Sequence, residues 1–139
     1  MGTKIFFLLR VIAVNRPNQP TIEVSQLQTI KWTDLTAPHD TKILRDLVHQ
    51  AMELNSSEKD PIVVHCSAGV GRTGTFIAVY KLSEDFSNSK VKVLDVKNTV
   101  LAMRSCRMKM VQKREQYAYI FKCLRDEIKS EAGDYYYEL

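Results

Sequence analysis

Residues His65 to Gly74, HCSAGVGRTG, place one thiol, three glycines and one arginine between two apolar runs, Pro61 to Val64 and Thr75 to Tyr80. A strand that enters a tight loop and leaves it through a helix start presents unsatisfied backbone N–H groups at the positive end of the helix dipole. Gly69 and Gly71 let such a loop curl so that successive N–H groups point inward, a ready anion site. Arg72 adds a planar fork that holds two oxygens of an anion at once. At the mouth of this cradle stands Cys66, where positive potential favours thiolate over thiol; such surroundings bring cysteine pKa values to roughly 3.5 to 7.5. His65 and Thr73 are placed to support the thiolate. The pattern is a nucleophile built into an oxyanion site, and it calls for no metal and no cofactor.

The elements that must position this loop can be read from periodicity. Lys4 to Val14 is β-branched and aromatic enough for a strand, and Asn15-Arg16-Pro17-Asn18-Gln19-Pro20 is a turn. From Thr21 to Lys31 the residues Ile22, Val24 and Ile30 share one face, so the two segments form an antiparallel hairpin. Trp32 to Pro38 is a loop. Asp40 caps a helix over Thr41 to Leu54, with Ile43, Leu44, Leu47, Val48, Ala51 and Met52 as its apolar stripe. Pro61 to His65 has the continuous apolar pattern of a strand buried on both faces. Further helices are expected over Thr73 to Leu82, about Val96 to Arg104 with Asp95 as cap, and about Arg114 to Lys129. The last carries Tyr117, Ile120, Phe121, Leu124 and Ile128 on one face. Strands followed by helices around a buried strand define the α/β class, a mixed sheet packed by about four helices. Residues 1–129 form the domain and residues 130–139 an acidic, tyrosine-rich mobile tail.

Size and composition agree with one soluble globular unit. The chain has 139 residues, 45% of them hydrophobic and 26% charged, with a net charge of +4. The basic residues are dispersed, which argues against a nucleic-acid partner. Cys66, Cys106 and Cys123 are three widely spaced cysteines with no CxxC pair, so neither a disulfide framework nor a zinc site is indicated. A reducing compartment, the cytoplasm, follows from that usage. Arg10 interrupts the apolar opening, no small-residue cleavage site follows, and no run is long enough to span a membrane.

With these residues in view, HCSAGVGRTG resembles, letter for letter, the phosphate-binding loop of the tyrosine-specific cysteine phosphatases. Two other segments agree with the family in order. Trp32-Thr33-Asp34-Leu35-Thr36-Ala37-Pro38 is similar to its acid loop, and Met103-Arg104-Ser105-Cys106-Arg107 with Met110-Val111-Gln112 and Gln116-Tyr117 is similar to its glutamine loop and following helix. The resemblance implies the cysteine-phosphatase fold and hydrolysis of phosphotyrosine in proteins or peptides. It implies that Cys66 attacks phosphorus while Arg72 and the amides of Ser67, Ala68, Gly69, Val70, Gly71 and Arg72 hold the phosphate oxygens. Asp34 would protonate the departing tyrosine oxygen, since a phenol of pKa about 10 leaves poorly as the anion. Gln112 would place the water that hydrolyses a cysteinyl phosphate, Gln116 would assist, and Thr73 would stabilise the departing thiolate. Arg104 and Arg107 resemble family arginines near the site, although ion pairing within the fold accounts for them equally well.

The chain departs from the family pattern in two places. Thr33 stands where the acid loop normally has proline, which raises the entropy of reaching the closed loop and predicts slower protonation. Tyrosine-specific domains also carry an N-terminal half ahead of the hairpin, including the loop whose aromatic side chain sandwiches the phosphotyrosine ring, and nothing here matches it. The chain thus resembles the C-terminal half of the domain. Exposed apolar faces, marginal stability and a partner covering the N-terminal side are expected from this. Two alternatives to a tyrosine phosphatase stay open: a phosphotyrosine-binding module with weak catalysis, and a dual-specificity phosphatase. The Trp32-x-Asp34 loop and the Gln112 and Gln116 pattern argue against the second.

Overall fold

A computed structural model describes residues 7–55, 60–88 and 93–132. The described residues open with a two-stranded antiparallel hairpin, β1 (Phe7–Arg16) and β2 (Gln19–Thr29). Its tight turn needs a left-handed residue, and Asn18 supplies it with φ of 56°. Register pairs Phe7 with Thr29 and Val14 with Ile22, and an irregularity falls between Val14 and Arg16. Four helices follow: α1 (Lys42–Leu54), α2 (Arg72–Ser87), α3 (Val96–Cys106) and α4 (Arg114–Ala132). The α/β class with a hairpin and four helices agrees with the sequence reading.

The helices form where their caps and stripes direct. The N-cap of α1 is Thr41, one residue after the expected Asp40, whose carboxylate nevertheless accepts from the Lys42 amide at 2.9 Å, and Asp95 accepts from the Asn98 amide at 2.9 Å to start α3. Helix α2 is buried on most sides and lies at the centre, packed by α1, α3 and α4. Leu44, Val48, Val79 and Ile120 are fully enclosed in that core. Each such side chain contributes about 2 kcal/mol of burial energy.

Three expectations are corrected by the structure. Pro61 to His65 is not a buried strand: among the described residues only β1 and β2 pair, and Val63 is 85% exposed. A continuous apolar run fits a central strand only when neighbours cover it, and here only Val64 packs against the core. Among the described residues the sheet is accordingly antiparallel and not mixed. Helix α4 buries Ile120 and Leu124 as expected and packs Tyr117 against the core, but its face is shifted: Phe121 and Ile128 are exposed while Gln116, Tyr119, Cys123 and Glu127 are buried. That stripe obeys helical spacing, but two of its members are polar, so hydrophobicity alone rotated the reading. Finally α2 runs on to Ser87, and α4 continues through Ala132, where Ser130 accepts from Arg45. Tyr135 to Tyr137 lie outside the described residues.

The hairpin leaves the core early. Phe7 and Leu27 pack against it, whereas Leu9, Val11, Ile12, Ile22 and Val24 are exposed. Exposed apolar surface was the expectation for a partial domain, and it falls on the hairpin and on the Ile62-Val63 run.

A polar junction closes the α1–α4 interface. Glu127, 3% exposed, accepts from Arg45 Nε at 2.6 Å and is hydrogen-bonded to His49 Nε2. Removing one partner of such a pair leaves the other charge poorly compensated. Glu127→Ala is therefore expected to cost about 3 kcal/mol in urea unfolding, whereas Lys42→Ala, which removes an exposed ion pair to Asp46 within α1, should cost about 0.5 kcal/mol or less.

Candidate active site

The loop from Cys66 to Gly71 connects the irregular Pro61–His65 run to the start of α2. Gly69 is left-handed, with φ of 69°, and this turns the chain so that its own amide points back at Cys66 Sγ, 3.3 Å away. Gly71 needs no unusual φ; a Cβ there would meet Gln116 Nε2 at 3.0 Å and Gln112 Oε1 at 3.2 Å, so any side chain would have to displace those amides. Gly74, on the first turn of α2, is tighter still, since a Cβ would lie 2.5 Å from the Val111 amide nitrogen. Gly74 carries no chemistry of its own in the sequence; its signal there is a glycine placed inside a helix that gains nothing from one.

Burial of Cys66 acts to raise its thiol pKa, but the Thr73 hydroxyl and the amides of Thr73, Gly69 and Val70 more than offset this, and the value falls from 9.0 to about 7. The Thr73 hydroxyl is buried without a hydrogen-bond partner in the protein, and its presence beside the sulfur lowers the Cys66 pKa. Cys123 makes the contrast: burial in the core pushes its thiol up to about 12. His65, expected beside the thiolate, is exposed and makes no hydrogen bond among the described residues. Its imidazole follows an irregular segment and stays at the surface.

Arg72 joins three parts of the site. Its Nη1 donates to the Trp32 carbonyl at 3.0 Å, its Nη2 donates to Ser67 Oγ at 2.7 Å, and the same Nη2 lies 3.4 Å from Asp34 Oδ1. Nε is buried and has no partner, a donor left free beside the cradle. The acid loop is thereby drawn over the phosphate loop. Trp32 is buried edge-on against Tyr119 at 6.1 Å, and its indole N–H donates to the Thr36 carbonyl at 2.9 Å. Thr36 in turn donates from Oγ1 to the Thr33 carbonyl at 2.7 Å, a local bond that ties the loop where a proline would have stiffened it.

The third segment is held more rigidly. Val111 is left-handed, with φ of 60°, an expensive conformation for a β-branched residue. It persists because Val111 N donates to the Val70 carbonyl at 2.9 Å and Val111 O accepts from Arg104 Nη2 at 2.9 Å. Arg104 Nε also donates to the Met110 carbonyl at 2.9 Å. Gln116 is fully buried; its Oε1 accepts from the amides of Gln112 and Lys113 at 3.1 Å each, and its Nε2 donates to Thr36 O at 3.4 Å. Gln112, next to strained Val111, is exposed and faces Gly71. Arg107 Nη2 donates to the Ala68 carbonyl at 3.1 Å and packs over Gly69. Arg104 and Arg107 thus act on backbone carbonyls, not on carboxylates.

The fold therefore brings Cys66, Arg72, Thr73, Asp34, Gln112 and Gln116 together from three separate segments and leaves His65 outside. A thiolate faced by amides, with a guanidinium and a carboxylate beside it, suits in-line transfer of a phosphoryl group. No group of three or more metal-binding side chains occurs among the described residues, and no helix among them is long and apolar enough to cross a membrane.

Testing the sulfur directly is simple. Alkylation of Cys66 by iodoacetamide, followed by mass spectrometry of the Cys66 peptide, should rise with pH through a midpoint near 7, because the thiolate is the reacting form. Thr73→Ala should move the midpoint upward. A midpoint near the ordinary 9.0 in the wild-type protein would contradict the arrangement.

Comparison with known proteins agrees with this geometry. Residues 3–126 match the protein-tyrosine phosphatase family. The chain is 33% identical over 130 residues to the protein-tyrosine-phosphatase PTP1 of Arabidopsis thaliana, covering 91% of this chain and 38% of that protein. It is 39% identical over 123 residues to receptor-type tyrosine-protein phosphatase eta of Gallus gallus, covering 84% of this chain and 8% of the relative. Among solved structures, the Trypanosoma brucei protein tyrosine phosphatase TbPTP1 superposes with a TM-score of 0.78 at 32% identity, over 88% of this chain and 42% of that one. The chain therefore spans well under half the length of these relatives, and the structure corresponds to part of the domain they share. On the family match and the shared fold together, the chain belongs to the protein-tyrosine phosphatase family.

Proposed function

We propose that this chain hydrolyses phosphotyrosine in proteins or peptides through a cysteinyl-phosphate intermediate. The observation that carries the reading is the Cys66 sulfur, poised as thiolate near pH 7 at the focus of the Gly69, Val70 and Thr73 amides. The amides of Ser67 to Arg72 and the Arg72 guanidinium hold the phosphoryl oxygens. The thiolate attacks phosphorus as the bond to the tyrosine oxygen breaks, and Asp34 donates a proton to that oxygen. Gln112 then orients water, Asp34 takes its proton, and the new oxygen–phosphorus bond forms as the sulfur–phosphorus bond breaks. Thr73 stabilises the released thiolate. Gln116 acts through its hold on the Gln112 amide and on the acid loop.

A phosphotyrosine-binding module is the second reading. It is favoured by Thr33, which replaces the proline that would restrict the acid loop, and by the Asp34 contact to Arg72, which competes for the donor meant for phosphate.

Turnover of a small aryl phosphate separates the two. Cys66→Ser is expected to abolish it, and Asp34→Ala to lower kcat by about a hundredfold to a thousandfold. The Asp34→Ala loss should shrink for a substrate whose leaving group is a weaker base, because such a group departs without a proton. Folded wild-type protein that binds a phosphopeptide but never turns over would establish the binding module instead.

A further inference from the structure

The acid loop is anchored at both ends. Trp32 is buried against Tyr119, and its carbonyl accepts from Arg72 Nη1 at 3.0 Å. Ala37 packs against the core, and the Thr36 carbonyl accepts from the Trp32 indole at 2.9 Å and from Gln116 Nε2 at 3.4 Å. Between these anchors lie Thr33, Asp34 and Leu35, all exposed, so no packing fixes the backbone that carries the carboxyl group. Leu35 sits at φ of 60° with 51% of its surface exposed, a conformation that a residue with a side chain rarely adopts and that its surroundings must hold in place.

That support comes from one side chain. Thr36 Oγ1 donates to the Thr33 carbonyl at 2.7 Å and so closes the turn through Asp34 and Leu35. Among the described residues no backbone hydrogen bond spans this turn. With the turn closed, the Leu35 amide donates to Asp34 Oδ1 at 3.0 Å, and Arg72 Nη2 lies 3.4 Å from the same oxygen. A proton on Oδ1 would meet both donors, whereas Oδ2 has no hydrogen-bond partner among the described residues, so Oδ2 is the oxygen free to carry a transferable proton. We propose that Thr36 is a positioning residue for proton transfer: its hydroxyl, by closing the turn back to Thr33, holds the Leu35 amide on Asp34 Oδ1 and so presents Oδ2 to the leaving tyrosine oxygen. The proposal rests on the assignment of Asp34 as the acid in the reading above. The proton passes from Asp34 Oδ2 to the tyrosine oxygen as its bond to phosphorus breaks and the sulfur–phosphorus bond forms, and Thr36 neither gains nor loses a proton.

Thr36→Val removes the hydroxyl, keeps the branched shape and leaves the backbone carbonyl to Trp32 and Gln116. For an aryl phosphate whose phenol has a pKa of about 10, as tyrosine does, Thr36→Val is expected to lower kcat/KM about fivefold, the effect of one hydrogen bond. For an aryl phosphate of a strongly acidic phenol, kcat/KM should be unchanged, because that group departs without a proton. Thr36→Ser restores the hydroxyl and should recover the wild-type value. Added to Asp34→Ala, Thr36→Val should cost nothing more, since a residue that acts only through the acid is silent once the acid is gone. The midpoint of Cys66 alkylation should stay near 7 in the Thr36→Val protein, as it does when the cradle is undisturbed. Equal losses on both substrates, a Thr36→Ser protein as slow as Thr36→Val, a further loss on top of Asp34→Ala, or a shifted alkylation midpoint would overturn the proposal. Wild-type protein without turnover, or an Asp34→Ala protein as fast as wild type, overturns the acid assignment and this proposal together; an Asp34→Ala loss with no Thr36→Val loss overturns this proposal alone.

Discussion

The carbonyl oxygen of Val70 accepts from the Gly74 amide at 3.3 Å and from the Val111 amide at 2.9 Å, and so pins the phosphate loop to the start of α2 and to the glutamine loop at one point. Such closeness is possible only because Gly74 lacks a Cβ, which would fall 2.5 Å from the Val111 nitrogen. The left-handed backbone of Val111 follows from the same junction, with Arg104 holding the far side of the peptide. Strain that a β-branched residue would not tolerate alone is imposed by its surroundings, and the consequence is a fixed position for Gln112.

From that junction the electrostatics can be built outward. The Thr73 hydroxyl and the amides of Thr73, Gly69 and Val70 lower the Cys66 pKa to about 7 despite burial, and the amides supply the kind of donors that a phosphoryl group requires. Arg72 extends the arrangement to the acid loop through Trp32 and Asp34, and Gln116 extends it through Thr36. Half-buried Arg72 and fully buried Gln116, from different helices, thus contact the same loop. Asp34 approaches the cradle without a proline before it, held instead by the Thr36 to Thr33 bond and by the packing of Trp32 on Tyr119.

The loop was legible in the sequence because its chemistry is local. Ten consecutive residues contain the thiol, the guanidinium and the turn-forming glycines, and the helix that follows has the spacing to position them. Asp40 and Asp95 were legible as caps for the same reason. What failed was non-local. Pro61 to Val64 has the composition of a central strand, yet composition cannot say whether neighbours exist to pair with it, and Val63 stands exposed. The face of α4 was misread because Gln116 and Glu127 are buried for their hydrogen bonds, which apolar periodicity does not register. Gly74 and Arg107 act on backbone groups in segments more than thirty residues away, a relation invisible until the loops are brought together.

The central claim is that Cys66 becomes the phosphoryl acceptor while Gln112 governs its release. Its most direct measurement is rapid mixing of Gln112→Ala protein with a phosphotyrosine peptide, acid quench, and mass spectrometry of the digested protein. The account predicts a phosphoryl group on the peptide that contains Cys66, accumulating before inorganic phosphate is released. Release of phosphate with the phosphoryl group found on another residue, or on none, would contradict it.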